Sequence, residues 1–143
     1  MPRKVDNIGI LHGRWGEAVA AEYLRRNGYN VIDCNSHPVG SDARLEIDIV
    51  AFDRSAEVLA FVEVKQHSRF SPYAKRLRSI DKRKLNNLRI ACRAWLRKYK
   101  WQKAFRFDVM EIYGRPGGGS PVIDYIRQVE LFPKKGRFVK WSD

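Results

Sequence analysis

Two neighbouring segments, Leu45-Glu46-Ile47-Asp48-Ile49-Val50-Ala51 and Phe61-Val62-Glu63-Val64-Lys65, carry charge inside otherwise apolar, strand-like runs. Side chains alternate across a strand with period two, so Glu63 and Lys65 share a face. Asp48 comes from the strand just before them. A carboxylate flanked by valines loses its hydration unless something replaces the water, and a divalent cation held by oxygen ligands does so at least cost. The segments therefore read as a metal site. The competing reading is a Glu63–Lys65 ion pair on a solvent-exposed strand.

The chain of 143 residues fits one domain with a real core. We expect that domain over residues 1–132 and a basic C-terminal tail over residues 133–143. No apolar run approaches the roughly 20 residues of a membrane span, and the start has no apolar signal core, so the expected setting is cytoplasmic, without membrane contact. Cys34 and Cys92 stand far apart and outside any Cys-x-x-Cys pair, which sets thiolate metal binding aside.

The formal net charge of +12 is unevenly spread, with −2 over residues 1–65 (8 basic, 10 acidic) and +14 over residues 66–143 (20 basic, 6 acidic). From Arg69 to Arg106 there are fourteen basic residues and one acid, Asp81. Such an excess repels itself unless a polyanion offsets it, and nucleic acid is the expected partner. Candidate contacts are Arg69, Lys75, Arg76, Arg78, Lys82, Lys84 and Arg89. Phe70 and Tyr73 in the same basic stretch suit stacking on unpaired bases or anchoring the loop.

Helical periodicity runs from His12 to Asn27, stopped by Gly28, with Val19, Ala20, Ala21, Tyr23 and Leu24 on one arc. Glu17 falls inside that arc, either as a third carboxylate for the acidic strands or as a first-turn acid favoured by the helix dipole. Strands are expected at Tyr29–Asp33, 45–52, 58–65, Phe105–Ile112 and Val122–Phe132, with a loop over Asn35–Arg44. A hairpin that sets Asp48 opposite Glu63 requires Phe52 opposite Leu59. Ser79 is placed to cap a second helix, from about Ile80 to Tyr99, with Leu85, Leu88, Cys92, Trp95 and Tyr99 as its apolar stripe.

Phosphodiester cleavage needs an attacking water and neutralisation of charge on the phosphate, much of which a metal supplies. Mg²⁺ (or Mn²⁺) prefers oxygen ligands, here Asp48, Glu63 and Glu17, helped by a carbonyl near Val64. Lys65 would orient the water or stabilise transition-state charge.

The run Gly13-Arg14-Trp15-Gly16-Glu17, then Ala20-Ala21-Glu22-Tyr23-Leu24, Gly28-Tyr29, Glu46-Ile47-Asp48-Ile49-Val50-Ala51 and Phe61-Val62-Glu63-Val64-Lys65, resembles the bacterial YraN family. Later segments, from Lys82, Lys84 and Leu88 to Arg106-Phe107-Asp108-Val109, keep that family's order. The family is similar in turn to the PD-(D/E)xK superfamily, which includes archaeal Holliday-junction resolvases. The resemblance implies an α/β, restriction-endonuclease-like core, a central mixed sheet of about five strands flanked by helices. It also implies catalytic positions at Glu17, Asp48, Glu63 and Lys65. The chain departs at Leu45, where the family usually has Gly, and at Gln66-His67, where a basic residue is common.

Two nucleic-acid functions stay open, beside a third possibility, a protein-interaction subunit whose basic face docks on an acidic partner. One is a metal-dependent endonuclease on nucleic acid, DNA ahead of RNA, selective for branched or nicked structures because phosphate contacts carry no base readout. Cutting both strands of a junction would call for a homodimer. The other is a non-catalytic nucleic-acid binding protein on the same fold.

Overall fold

The structure, a computed structural model, describes residues 4–69 and 81–131, with side chains from residue 12 onward. Phe70, Tyr73, Lys75, Arg76, Arg78, Ser79 and the expected tail lie outside the described residues.

Five strands form one mixed sheet in the order β1-β2-β3-β4-β5: β1 Tyr29–Ser36, β2 Ile47–Asp53, β3 Val58–His67, β4 Phe105–Tyr113 and β5 Val122–Ile126. β2 runs antiparallel to both β1 and β3, β3 and β4 are parallel, and β4 and β5 are antiparallel. Parallel neighbours need a crossover, and helix α2 (Lys82–Lys98) lies on the path from β3 to β4. Helix α1 (Lys4–Arg26) covers the other face. The protein is thus α/β, with a five-stranded mixed sheet between two helices.

Each helix buries the stripe its periodicity dictates. On the α1 side, Ala20, Ala21 and Leu24 pack on Ile49, Ala51, Ala60, Val62, Met110 and Ile112. On the α2 side, Leu88, Ala91, Cys92, Trp95 and Leu96 pack on Val50, Leu59, Phe61, Phe107 and Val109. Alternate residues of β3 thus serve opposite cores, which is why its first half, Val58–Val62, is apolar throughout. Phe52 pairs with Leu59, the register the hairpin required.

The boundaries differ from sequence expectation in instructive places. α1 begins at Lys4 rather than His12. β1 continues past Asp33 to Ser36 because a bulge between Val31 and Asp33 re-aims the strand. Leu45 and Glu46 precede β2: Ala43–Leu45 form a 3₁₀ turn capped by Asp42, whose carboxylate holds both the Arg44 amide and its guanidinium. Asp81, not Ser79, caps α2, accepting from the Lys84 N–H at 2.9 Å. Tyr99 is 51% exposed rather than part of the buried stripe, because it stands beyond the last helical residue and stacks on Trp95. β5 stops at Ile126, where Arg127 turns its guanidinium Nε to the Tyr29 hydroxyl.

One end of the sheet is closed by a buried polar network on the α1 side. Asp108, fully buried, accepts from Arg106 Nε (3.0 Å), from the Gln128 N–H (2.9 Å) and from the Tyr125 hydroxyl. Arg106 reaches on to Asp53 at 3.1 Å and to the Tyr29 hydroxyl at 2.8 Å. Burial raises the Tyr125 hydroxyl pKa strongly, and the Asp108 carboxylate adds to the effect. Removing one partner of a satisfied buried charge pair strands the other. Asp108→Ala is therefore expected to lower unfolding stability by about 3–5 kcal/mol, measured by urea denaturation.

Candidate metal centre

The opposite end of the sheet gathers the acids. α1 crosses β3 closely because residue 16 has no side chain: a Cβ there would lie 3.1 Å from Gln66 Cβ. That approach carries Glu17, the next residue, over the ends of β2 and β3. Asn35, in the left-handed region (φ +50°) that Asn tolerates better than most residues, turns its amide into the same space. Its Nδ2 donates to Glu17 Oε1 at 2.9 Å and to Glu46 Oε1 at 3.2 Å. His37 Nε2 stands 3.0 Å from the other Glu46 oxygen. Carboxylate oxygens of Glu17, Glu46 and Asp48 all lie within 4.8 Å of one another, a group of three able to hold a metal ion.

Asp48 sits at the start of β2, where ladder pairing with β3 is described from Ile49–Val62 onward. Its Oδ2 accepts the Val64 N–H at 2.8 Å, so the strand itself fixes the carboxyl. Burial first, and then the Glu63 carboxylate, push Asp48 up to about 8, against the pull of that N–H. Glu17 is raised as well, mainly by burial, with Glu46 and Glu63 adding to it and the Asn35 amide opposing.

Glu63 is 2% exposed. Its Oε2 meets two ammonium groups, Lys84 Nζ at 3.1 Å and Lys65 Nζ at 3.4 Å. Burial alone would lower Lys84, but Glu63 outweighs it and the net shift is upward, so the lysine stays cationic. The other oxygen, Oε1, is buried with no hydrogen-bond partner. An unpaired buried carboxylate oxygen is costly, and a proton or a cation would satisfy it. Once an ion displaced the Asp48 proton, four carboxylates against two ammonium groups would leave two negative charges, the amount a divalent ion offsets. The all-oxygen donor set suits Mg²⁺ or Mn²⁺ on chemical grounds, so the residues fit such an ion.

Period-two reasoning brought Asp48, Glu63 and Lys65 together correctly in space, and Glu17 joins them from α1. Two details differ from sequence expectation. The three-acid group consists of Glu17, Glu46 and Asp48, whereas Glu63 is engaged by lysines. Lys84 and Arg89, expected to face a polyanion, turn elsewhere: Lys84 to Glu63, and Arg89 through its Nε to the Leu131 carbonyl. Arg69 and Lys82 are exposed. Glu46 was accessible to the same argument as Glu63, since it stands two residues before Asp48. Asn35 and His37 gave no such signal, because a polar loop residue becomes a site residue only through the turn that folds it back. His67 ends β3 rather than lying in a loop, with Nε2 2.9 Å from buried Glu111 and its ring stacked on Tyr113.

A family model described as "Uncharacterised protein family UPF0102" matches residues 16–112. The chain belongs to the UPF0102 family. This is the YraN family that the sequence resembles. Among UPF0102 relatives, a protein of Solibacter usitatus is 37% identical over 120 residues, covering 81% of this chain and 83% of the relative. One of Trichlorobacter lovleyi is 34% identical over 115 residues, 80% and 85% of the two chains. One of Desulfosudis oleivorans is 39% identical over 108 residues, 73% and 80%. The UPF0102 match spans Glu17, Glu46, Asp48, Glu63, Lys65 and Lys84, the whole acid and lysine set.

Two outcomes follow for this centre. Because the folded-state pKa of Asp48 lies above the ordinary carboxylate value of about 3.9, its contribution to stability is full below that value and is lost as pH rises toward about 8. Asp48→Asn should therefore gain on wild type progressively between those limits, read from urea midpoints at a series of pH values. Asn35→Ala should weaken Mn²⁺ binding on the order of tenfold with little change in melting temperature, read by calorimetric titration.

Proposed function

We propose that the chain is a metal-dependent nuclease that hydrolyses phosphodiester bonds in nucleic acid, DNA ahead of RNA. The observation that carries this reading is the buried Glu63, one oxygen gripped by two lysines and the other bare, beside a proton-holding Asp48. A purely structural ion pair has no use for the three carboxylates of Glu17, Glu46 and Asp48 gathered at the same end of the sheet. A bound divalent ion would supply positive charge that offsets build-up on the phosphate and would acidify water nearby.

The chain's own groups take the remaining roles. Glu17, Glu46, Asp48 and Glu63 would hold the ion, while Asn35 and His37 hold Glu17 and Glu46 in place. Lys65, 25% exposed at its side chain, is placed to orient the attacking water or to stabilise negative charge on the phosphate. Lys84 brings a second cation to the same carboxylate from α2. The likeness of the family to the PD-(D/E)xK nucleases supports the same assignment. Preference for branched or nicked DNA, a homodimeric state and a cytoplasmic setting belong to this proposal. No described helix is long and apolar enough to cross a membrane.

A second reading has its own support. Lys65 and Lys84 already neutralise Glu63 without any metal, as a non-catalytic nucleic-acid binding protein would require.

Cleavage of single-stranded, duplex, flap and four-way-junction substrates, in DNA and RNA, with Mg²⁺, Mn²⁺ or EDTA, separates the two. The nuclease reading expects metal-dependent products that fall by about 10²–10³-fold in Lys65→Ala and also in Asp48→Ala. Substrates bound but uncut under every condition would establish the binding protein instead.

A further inference from the structure

Helix α2 carries seven basic residues, Lys82, Arg83, Lys84, Arg89, Arg93, Arg97 and Lys98, and no acid. The fold sorts them. Lys84 turns to Glu63 and Arg89 to the Leu131 carbonyl. Arg83, Arg93 and Arg97 fall with Asn86 and Ile90 on a single line of alternating three- and four-residue steps, and all five are exposed. This line lies directly opposite the stripe of Leu88, Ala91, Cys92, Trp95 and Leu96 that packs on the sheet.

The charge on this line works against the helix. Lys82 and Arg83 occupy the first turn, where the helix dipole disfavours cations. Lys84 in that turn is compensated by Glu63, but among the described residues no acid pairs with Lys82 or Arg83. Only Arg97 and Lys98, in the last turn, suit the dipole. A solvated face chosen for solubility normally intersperses acids. A face with cations at both ends and none is complementary to a polyanion.

We propose that this outer line of α2 is a track for a nucleic-acid backbone, which extends the footprint well beyond the metal centre. The inference rests on the nucleic-acid reading above and adds to it a surface, a direction and a length. Arg83 is the chain neighbour of Lys84, so the track starts beside Glu63 and runs away from it. At 1.5 Å per helical residue, Arg83 to Arg97 spans about 21 Å. That is about six base pairs of duplex at 3.4 Å each. The partner is therefore a nucleic acid with an arm of at least that length, held by phosphate contacts that position it without reading its bases.

The test measures binding by the full-length chain, in EDTA so that no cleavage intervenes, with labelled DNA hairpins of about 5 and about 16 base pairs. Three single charge reversals are compared: Arg93→Glu, Arg97→Glu and Arg25→Glu. Arg25 is exposed on α1, across the sheet, and its reversal changes net charge by the same amount. Circular dichroism establishes that each variant is folded. The expected result is that Arg97→Glu weakens the long hairpin about tenfold and reduces its salt dependence by about one phosphate while leaving the short one nearly unchanged, whereas Arg93→Glu, about 15 Å along the track and within the roughly 17 Å of the short stem, weakens both. Arg25→Glu should affect both lengths alike and weakly. Equal losses in all three variants would overturn the track, as would a loss in Arg97→Glu that is independent of arm length. Competition by polyglutamate as effective as that by the long hairpin would also overturn it, pointing to an acidic protein. Failure of the track leaves the Asp48 and Lys65 cleavage test untouched, and failure of cleavage leaves this binding test intact.

Discussion

A glutamate buried in the middle of a sheet is the constraint around which one end of this molecule is organised. Glu63 lies between two valines on β3 and is almost wholly removed from water. Leaving its charge unmatched there would cost several kcal/mol. The fold meets that cost by bringing two ammonium groups to one of its oxygens, Lys65 from the same strand and Lys84 from α2. The price of that arrangement falls on Asp48, which is pushed toward protonation by burial and by the glutamate beside it. A site with crowded carboxylates, one of them driven to hold a proton by burial and its neighbours, is one that a divalent cation would stabilise.

The two ends of the sheet make opposite use of buried charge. Around Arg106 and Asp108 each carboxylate oxygen has a donor, and the network ties β1, β2, β4 and β5 together. Such closure makes an end rigid and chemically inert. Around Glu63 the acids outnumber their partners, and Glu17, Glu46 and Asp48 crowd together. Stability stored at one end lets the other carry mutual repulsion. The small residue Gly16 belongs to the same division of labour, because close contact between α1 and β3 is what delivers Glu17.

Much of this was legible in the residues. The period-two pattern placed Glu63 and Lys65 on one face beside Asp48, the pairing of Phe52 with Leu59 is the one that setting Asp48 opposite Glu63 requires, and the arc Ala20, Ala21, Leu24 marked the buried side of α1. Glu17 stood out as an acid on an apolar arc, and α1 does carry it beside the acidic strands. Boundaries were harder to read. The bulge in β1 and the Asp42-capped turn before Glu46 arise from local backbone geometry that hydrophobic patterning does not record. The basic residues of α2 were counted correctly as an excess, but which of them face outward was not settled by counting.

The sequence by itself determined the strands, the helices, the two apolar faces and the grouping of Asp48, Glu63 and Lys65, because each follows from periodicities of two and 3.6 within a short stretch of chain. Only the tertiary structure decided that Asn35 joins Glu17 to Glu46, that Lys84 serves Glu63, and that Arg83, Arg93 and Arg97 form the outward line. Those relations depend on which residue a turn returns to its neighbour and on how a helix is rotated upon the sheet. Both are set by packing between segments distant in sequence, to which no local pattern responds.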